Sequence, residues 1–380
     1  MTSIDRALVD AALARVEDPE IHRPITDLGM VKSVDIDGDH VKVAIYLTVS
    51  GCPMRDTITQ RVTLSVGSVP GVRHVDVELD VMNDEQRANL RKTLRGDQEE
   101  RTIPFADPGS RTHVYAITSG KGGVGKSSVT VNLGVAMAAQ GFRVGIVDAD
   151  IYGHSVPGLL GLTQAPHMVE GMIMPPEAYG VSAISILPFK PGGSAEPVAF
   201  RGPMLHRALQ QFLADVWWGD LDVLLLDLPP GTGDIAISTA QLLPGSQVII
   251  VTTPQTAAAQ VAVRAGMLAG QTHQKVAGVI ENMSGFPCPH CGEPIDLFGI
   301  GGGNAVAEQL SEGLSTKVPL LGRVPFDVRL REGGDAGQPL VLSDPSAPAA
   351  AALIELAGGL ARKPRGLAGM SLGISPAGRA

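Results

Sequence analysis

Residues 113–141 read HVYAITSGKGGVGKSSVTVNLGVAMAAQG, and the fold turns on them. An apolar, strand-like run ends at Ser119. The eight residues Gly120–Ser127 then fit the pattern G-x-x-x-x-G-K-[ST], and a stretch of helical period runs on to a stop at Gly141. Only glycine lets backbone amides converge on phosphate oxygens, and the start of the following helix adds the positive end of its dipole. Strand, loop and helix in that order predict a P-loop. Gly120, Lys121, Gly122, Gly123, Val124, Gly125, Lys126, Ser127 and Ser128 would wrap a nucleotide. Lys126 would neutralise β/γ-phosphate charge and the Ser127 hydroxyl would bind Mg²⁺.

On either side of the loop, short and nearly all-apolar strands alternate with helical windows from about 112 to 361. The strands are HVYAIT, FRVGIVD, DVLLLD, QVIIVTT, VAGVIEN and PLLGRVP. Continuous apolar strands between helices predict an α/β fold, a mostly parallel sheet with helices on both faces. Ligands in such sheets sit beyond the carboxyl ends of the strands. DVLLLD ends there on Asp227, the expected Walker-B acid of the Mg²⁺ shell. VGIVD runs into Asp148 and Asp150, the latter suited to orienting an attacking water. Asn282, ending VAGVIEN, and the loop Val324–Asp327 are candidates for reading the adenine edge, with a plain Asx-turn as the alternative for Asn282.

Residues 1–90 read as a separate small α+β domain. Ile4, Leu8, Ala12, Leu13 and Val16 have amphipathic helical spacing. Alternation around Asp37-Gly38 signals a hairpin, a second helix is expected near 54–67, and VRHVDVELDVM gives a further strand. The charged stretch 91–111 is expected to be a linker, 112–362 the ATPase domain, and 363–380 a disordered tail.

The chain has 380 residues, and 44% are hydrophobic against 18% charged. Mean hydropathy is +0.16. That excludes a natively disordered chain. The net charge of −9 argues against a nucleic-acid partner. No stretch approaches the ~18 continuous apolar residues of a membrane span, and the amino terminus lacks a signal-peptide core, so a soluble cytoplasmic protein is expected. Three cysteines are too few for a disulfide scaffold.

Two of the three, Cys288 and Cys291, stand in SGFPCPHCGEP just after a strand. Two thiolates at this spacing grip one iron or zinc but leave a tetrahedral site half filled. A metal site completed by a second chain, a structural zinc half-site, a redox pair and two inert thiols all remain open. The redox reading wants a helix opening at the first cysteine, which Gly292 and Pro294 discourage.

Lys121, directly after the first glycine, makes GKGGVGK a deviant Walker A loop, resembling the family of MinD, ParA and the nitrogenase iron protein. In that family this lysine serves the nucleotide of a partner subunit. GKGGVGKSS, VDADIYGHS, FRGPM, DLPPGTGD, ENMS, CPHCG and LGRVPFD together resemble the Mrp/ApbC family of iron–sulfur cluster carriers, across 112–345. LGMVKSVDI, GCPM and PGVRHVDVEL resemble the MIP18-type domain often fused ahead of that ATPase, and Cys52 matches its single cysteine. The resemblance implies an ATP-hydrolysing homodimer with Lys121, Lys126, Asp150 and Asp227 as catalytic residues. It also implies a 4Fe–4S cluster bridged by Cys288 and Cys291 of both chains, and apo iron–sulfur proteins as acceptors. A ParA/MinD-like positioning ATPase is the competing expectation. It leaves CPHC unexplained, and the tail lacks an amphipathic membrane helix.

Overall fold

Asp37-Gly38 makes the turn its sequence announces. Strand β1 (Val31–Asp37) meets β2 (His40–Leu47) antiparallel, with Asp37 opposite His40 and Gly38 in the left-handed region at φ +63°. The computed structural model that shows this describes residues 4–19, 21, 23–48, 54–95, 102–151, 153–186, 202–288 and 290–361. Cys52, Arg201 of the FRGPM motif and the tail 363–380 lie outside these residues. The chain forms two units, one comprising 1–101 with 167–174 and the other 102–166 with 175–380.

In the first unit, helix α1 (Arg6–Leu13) starts at Asp5, whose carboxylate accepts the Ala7 N–H at 2.9 Å. Its inward face is Val9, Ala12 and Leu13; Leu8, expected inside, is exposed. Helix α2 (Arg55–Gly67) buries Ile58, Val62 and Val66 at four-residue spacing. It serves as the crossover to β3 (His74–Val81), which pairs parallel to β2. Helix α3 (Asp84–Arg95) runs five residues into the stretch 91–111 expected to be a linker. Its origin is a reciprocal cap. The Asn83 side chain accepts the Gln86 N–H at 2.8 Å, and Gln86 Oε1 accepts the Asn83 N–H at 2.9 Å.

The second unit is built on β4 (His113–Ser119), helix α4 (Lys126–Ala139), β5 (Val144–Asp148) and the short α5 (Val156–Leu159). A hairpin β6 (His167–Val169) and β7 (Met172–Met174) groups with the first unit. Then follow β8 (Glu177–Ala178), β9 (Val181–Ile184), α6 (Gly202–Ala214), β10 (Val223–Asp227), α7 (Asp234–Leu242), β11 (Gln247–Thr252), α8 (Thr256–Gln271) and β12 (Lys275–Asn282). A two-rung hairpin of β13 (Phe286–Pro287) and β14 (Pro294–Ile295) precedes α9 (Gly302–Gly313), β15 (Leu320–Val324), α10 (Val328–Asp335), α11 (Leu340–Ser343) and α12 (Pro348–Ala361).

The sheet has the order β15-β12-β11-β4-β10-β5-β9-β8, and all neighbours are parallel except the edge pair β8–β9. All six expected strands are in it. Helix α12 lies across α4 and buries Ala349, Ala350, Leu353, Leu356, Ala357 and Leu360 in the same core as Tyr115, Leu133 and Leu225. The Tyr115 hydroxyl donates to the Leu360 carbonyl at 3.1 Å, and burial pushes its pKa up to about 12, so it stays a neutral donor. Among the described residues no helix is long and apolar enough to cross a membrane.

Candidate nucleotide site and cysteine hairpin

Register decides the centre of the site. On adjacent parallel strands Asp227 stands level with Asp148, so two carboxylates reach the same end of the sheet side by side, both fully buried. Lys126, the first residue of α4, sits against them, its Nζ 2.7 Å from Asp227 Oδ1 and only 6% exposed. The Ser127 hydroxyl donates to Asp227 Oδ2 at 2.5 Å, and the Thr130 hydroxyl donates to Oδ1 at 2.9 Å. Thr130 carries no motif and was not singled out from the sequence. Its place one helical turn beyond Lys126 is the signal that could have found it.

Asp148 shows the electrostatic consequence. Burial, followed by the Asp227 charge, pushes its carboxyl well above the ordinary carboxylate range, and Lys126 only partly offsets this. One oxygen accepts the Val156 N–H at 3.2 Å, while the other is buried without a partner. A raised folded value means Asp148 destabilises the fold once pH exceeds 3.8, where the unfolded carboxyl ionises. Asp148→Asn is therefore expected to raise the unfolding temperature of the second unit at pH 7. A gain of about 1–2 kcal/mol corresponds to roughly 2–8 °C. The advantage should vanish below about pH 4 and grow as pH rises. Calorimetry of both proteins from pH 4 to 8 checks it, and a pH-independent difference contradicts it.

The loop above these residues is shaped by glycine where the chain needs it. Gly125 has φ +80°, and a Cβ there would lie 2.3 Å from Asn282 Nδ2. At Gly120 a Cβ would strike the α8 backbone at Ala262 N, 2.3 Å away. The Ser119 carbonyl accepts the Gly231 N–H at 2.8 Å, which ties the loop after Asp227 to the P-loop. Lys121 donates to Gln255 Oε1 at 2.9 Å within its own chain. Asp150 is half-buried and accepts the Gly153 N–H at 3.0 Å.

Asn282, expected to read the adenine edge, is 2% exposed, and its amide donates to the Val124 carbonyl at 2.9 Å, which braces the P-loop. In the Val324–Asp327 loop the Phe326 N–H goes to the Gly285 carbonyl and Asp327 caps α10 through the Arg329 N–H. The residues present suit a magnesium–nucleotide. A left-handed glycine cradle stands over a lysine, a hydroxyl touches a carboxylate, and the second buried carboxylate has a free oxygen.

Cys288 and Cys291 lie on the turn of the β13–β14 hairpin. The Cys288 N–H donates to the Glu293 carbonyl at 2.9 Å, the Gly292 N–H returns to the Cys288 carbonyl at 2.8 Å, and Gly292 takes φ +77°. Among the described residues no helix opens at Cys288, and Cys291 lies in a turn. Backbone N–H groups of Cys291 and then His290 point at the Cys288 sulfur, with the Cys291 thiol after them, and they hold its pKa below the usual thiol value. Cys291 is exposed and Cys288 partly so. Exposed Ile295, Leu297 and Ile300 follow. Among the described residues no group of three or more His, Cys, Asp or Glu side chains is placed to hold a metal ion. Among the described residues the hairpin therefore offers two cysteine ligands.

Residues 110–361 match the profile of the NUBPL iron-transfer P-loop NTPases, and residues 6–79 match that of an iron–sulfur cluster assembly protein. An iron–sulfur cluster carrier protein of Mycobacterium tuberculosis is 58% identical over 374 residues, which cover 98% of this chain and 97% of that protein. One of Deinococcus radiodurans is 43% identical, covering 92% and 93%. Among solved structures, a nucleotide-binding protein from Archaeoglobus fulgidus in complex with ADP is 35% identical with a TM-score of 0.51. The match covers 61% of this chain and 92% of that one.

Proposed function

Because the chain belongs to the NUBPL iron-transfer P-loop NTPase family, we propose that it is an ATP-hydrolysing carrier that receives an iron–sulfur cluster and passes it to apoproteins. The observation that carries this reading is the cysteine hairpin. Two thiols are held at metal-binding spacing on a hairpin turn, with backbone N–H groups aimed at one sulfur. N–H groups directed at a thiolate stabilise its charge and tune the metal it holds.

The cargo is a 4Fe–4S cluster, and it needs four thiolates. A homodimer supplies them as Cys288 and Cys291 from each chain. Exposed Ile295, Leu297 and Ile300 beside the hairpin are then the apolar surface that the second copy covers.

At the nucleotide site, backbone amides of Gly122–Ser127 hold the phosphates and Lys126 balances the charge that builds on the transferred group. Ser127 and Asp227 hold Mg²⁺, with Asp148 beside them, and Mg²⁺ supplies further neutralisation of phosphate charge when bound. Asp150 orients the attacking water, and Lys121 completes the site of the partner chain.

Anaerobic reconstitution with iron and sulfide tests the proposal. Expected is a broad visible absorption and about four iron atoms per two chains. Cys288→Ala is expected to abolish both, whereas Cys52→Ala retains them. Zinc held at the hairpin and never displaced by iron overturns the carrier reading.

A further inference from the structure

The carboxyl end of β12 faces two ways. Successive strand residues point to opposite faces of a sheet, and here both are polar and buried, Glu281 at 1% and Asn282 at 2% exposure. Asn282 reaches the P-loop through the Val124 carbonyl, so close that residue 125 has room only for glycine. Glu281 reaches the other way. Its carboxylate accepts the Gly303 N–H at 2.6 Å, the Ser284 hydroxyl at 2.7 Å and Arg323 Nε at 3.1 Å.

The residues between Asn282 and Cys288 are pinned in turn. Met283 takes φ +57°, a left-handed conformation costly for a residue with a Cβ. The Ser284 N–H donates to the Val324 carbonyl at 2.9 Å, and the Gly285 carbonyl accepts the Phe326 N–H at 2.8 Å. The Phe286 ring stands edge-on to Phe326 at 5.6 Å. The phosphate loop and the cysteine hairpin are thus the two ends of one braced segment, 282–288, with little slack along it.

We propose that Asn282 is a positioning residue that transmits the state of the phosphate loop to the cysteine hairpin within one chain, so that nucleotide binding sets how Cys288 and Cys291 are presented. This rests on the nucleotide-binding reading above and adds to it a mechanical route that needs no second subunit. Bound γ-phosphate orders the loops around such a site, and a shift at Val124–Gly125 moves the Asn282 amide bonded to it. The brace at Glu281–Ser284 keeps the segment from absorbing that movement.

The test uses the full-length, cluster-free protein and reads alkylation of Cys288 and Cys291 by N-ethylmaleimide, followed by peptide mass spectrometry. Rates are taken without nucleotide, with saturating Mg–ADP and with a saturating non-hydrolysable ATP analogue, and binding is measured in parallel. Coupling between sites typically spans about 5–150-fold, so the wild-type rate is expected to change at least fivefold between nucleotide states. Asn282→Ala should reduce that change to less than twofold. Ser284→Ala removes the hydroxyl bond to Glu281 from the brace and leaves the Asn282 bond in place; it should shrink the nucleotide effect as well. A residue with a merely structural role would alter the rates in every state alike.

Full nucleotide sensitivity in Ser284→Ala and in any folded Asn282→Ala overturns the inference. So does a wild-type protein that binds nucleotide with no change at its thiols. A wild-type protein that binds no nucleotide overturns both this inference and the function it rests on.

Discussion

Lys126→Ala is expected to lower ATP turnover by on the order of 10²–10³-fold or more, the usual cost of deleting one charge-stabilising donor at a reacting oxygen. The variant should also lose stability, for a reason separate from catalysis. Lys126 is the buried cation 2.7 Å from Asp227, and Asp148 lies beside them. Removing one partner of a buried pair costs about 3–5 kcal/mol, which is roughly 6–20 °C in the unfolding temperature of a unit this size. The two effects come apart in the double variant Lys126→Ala/Asp227→Asn. It no longer buries the Asp227 charge without its cation, so its unfolding temperature should return part of the way toward wild type while turnover stays lost. A double variant as unstable as the single one would show that the stability loss has another origin. A single variant that hydrolyses ATP normally would remove Lys126 from the reaction.

Lys121→Ala is expected to cost a comparable factor, about 10³-fold within the 10³–10⁵ range for cations supplied across an interface. Here the lysine is held by Gln255 of its own chain at 2.9 Å. Reaching a partner's nucleotide means giving up that bond, at about 1.5–3 kcal/mol for a hydrogen bond to a charged group, well below what the reaction gains. Mixing Lys121→Ala chains with Asp150→Ala chains should restore part of the turnover. In such a heterodimer one site combines an intact Asp150 with an intact Lys121 from the other chain. Verified heterodimers without recovered activity would place Lys121 in its own chain's site.

The central strands were legible because burial on both faces leaves no polar alternation; Val223–Asp227 could be read as nothing else. The edge of the sheet was not. Strands β8 and β9 have two and four residues around Tyr179-Gly180, too short for a period to show. The parallel pairing of β2 with β3 was equally hidden, since alternation in a strand says which residues face inward and nothing about direction. The charged stretch around 84–111 showed no clear start for helix α3, although Asn83 and Gln86 stand at capping-box spacing.

At the site, glycine spacing and strand-end acids pointed to residues that the fold gathers around Lys126. Glu281 was missed because one acid inside an apolar strand carries no motif. Its meaning comes from Ser284, Gly303 and Arg323, which only the fold brings to it. Asn282 was noticed, but whether its amide faces a ligand or the protein's own backbone is decided by packing.

The position of α12 has a consequence for how the protein is made. This helix, the last among the described residues, covers α4, the helix that begins with Lys126, and Tyr115 is tied to its final turn. Ribosomes add about 5–20 residues each second. Between the synthesis of Ala139 and that of Ala361 some 222 residues must emerge, roughly 10–45 s. Through that interval the side of α4 that α12 covers stays open within its own chain. The ATPase unit thus completes its core only once α12 has emerged, and chaperones have that window in which to bind it.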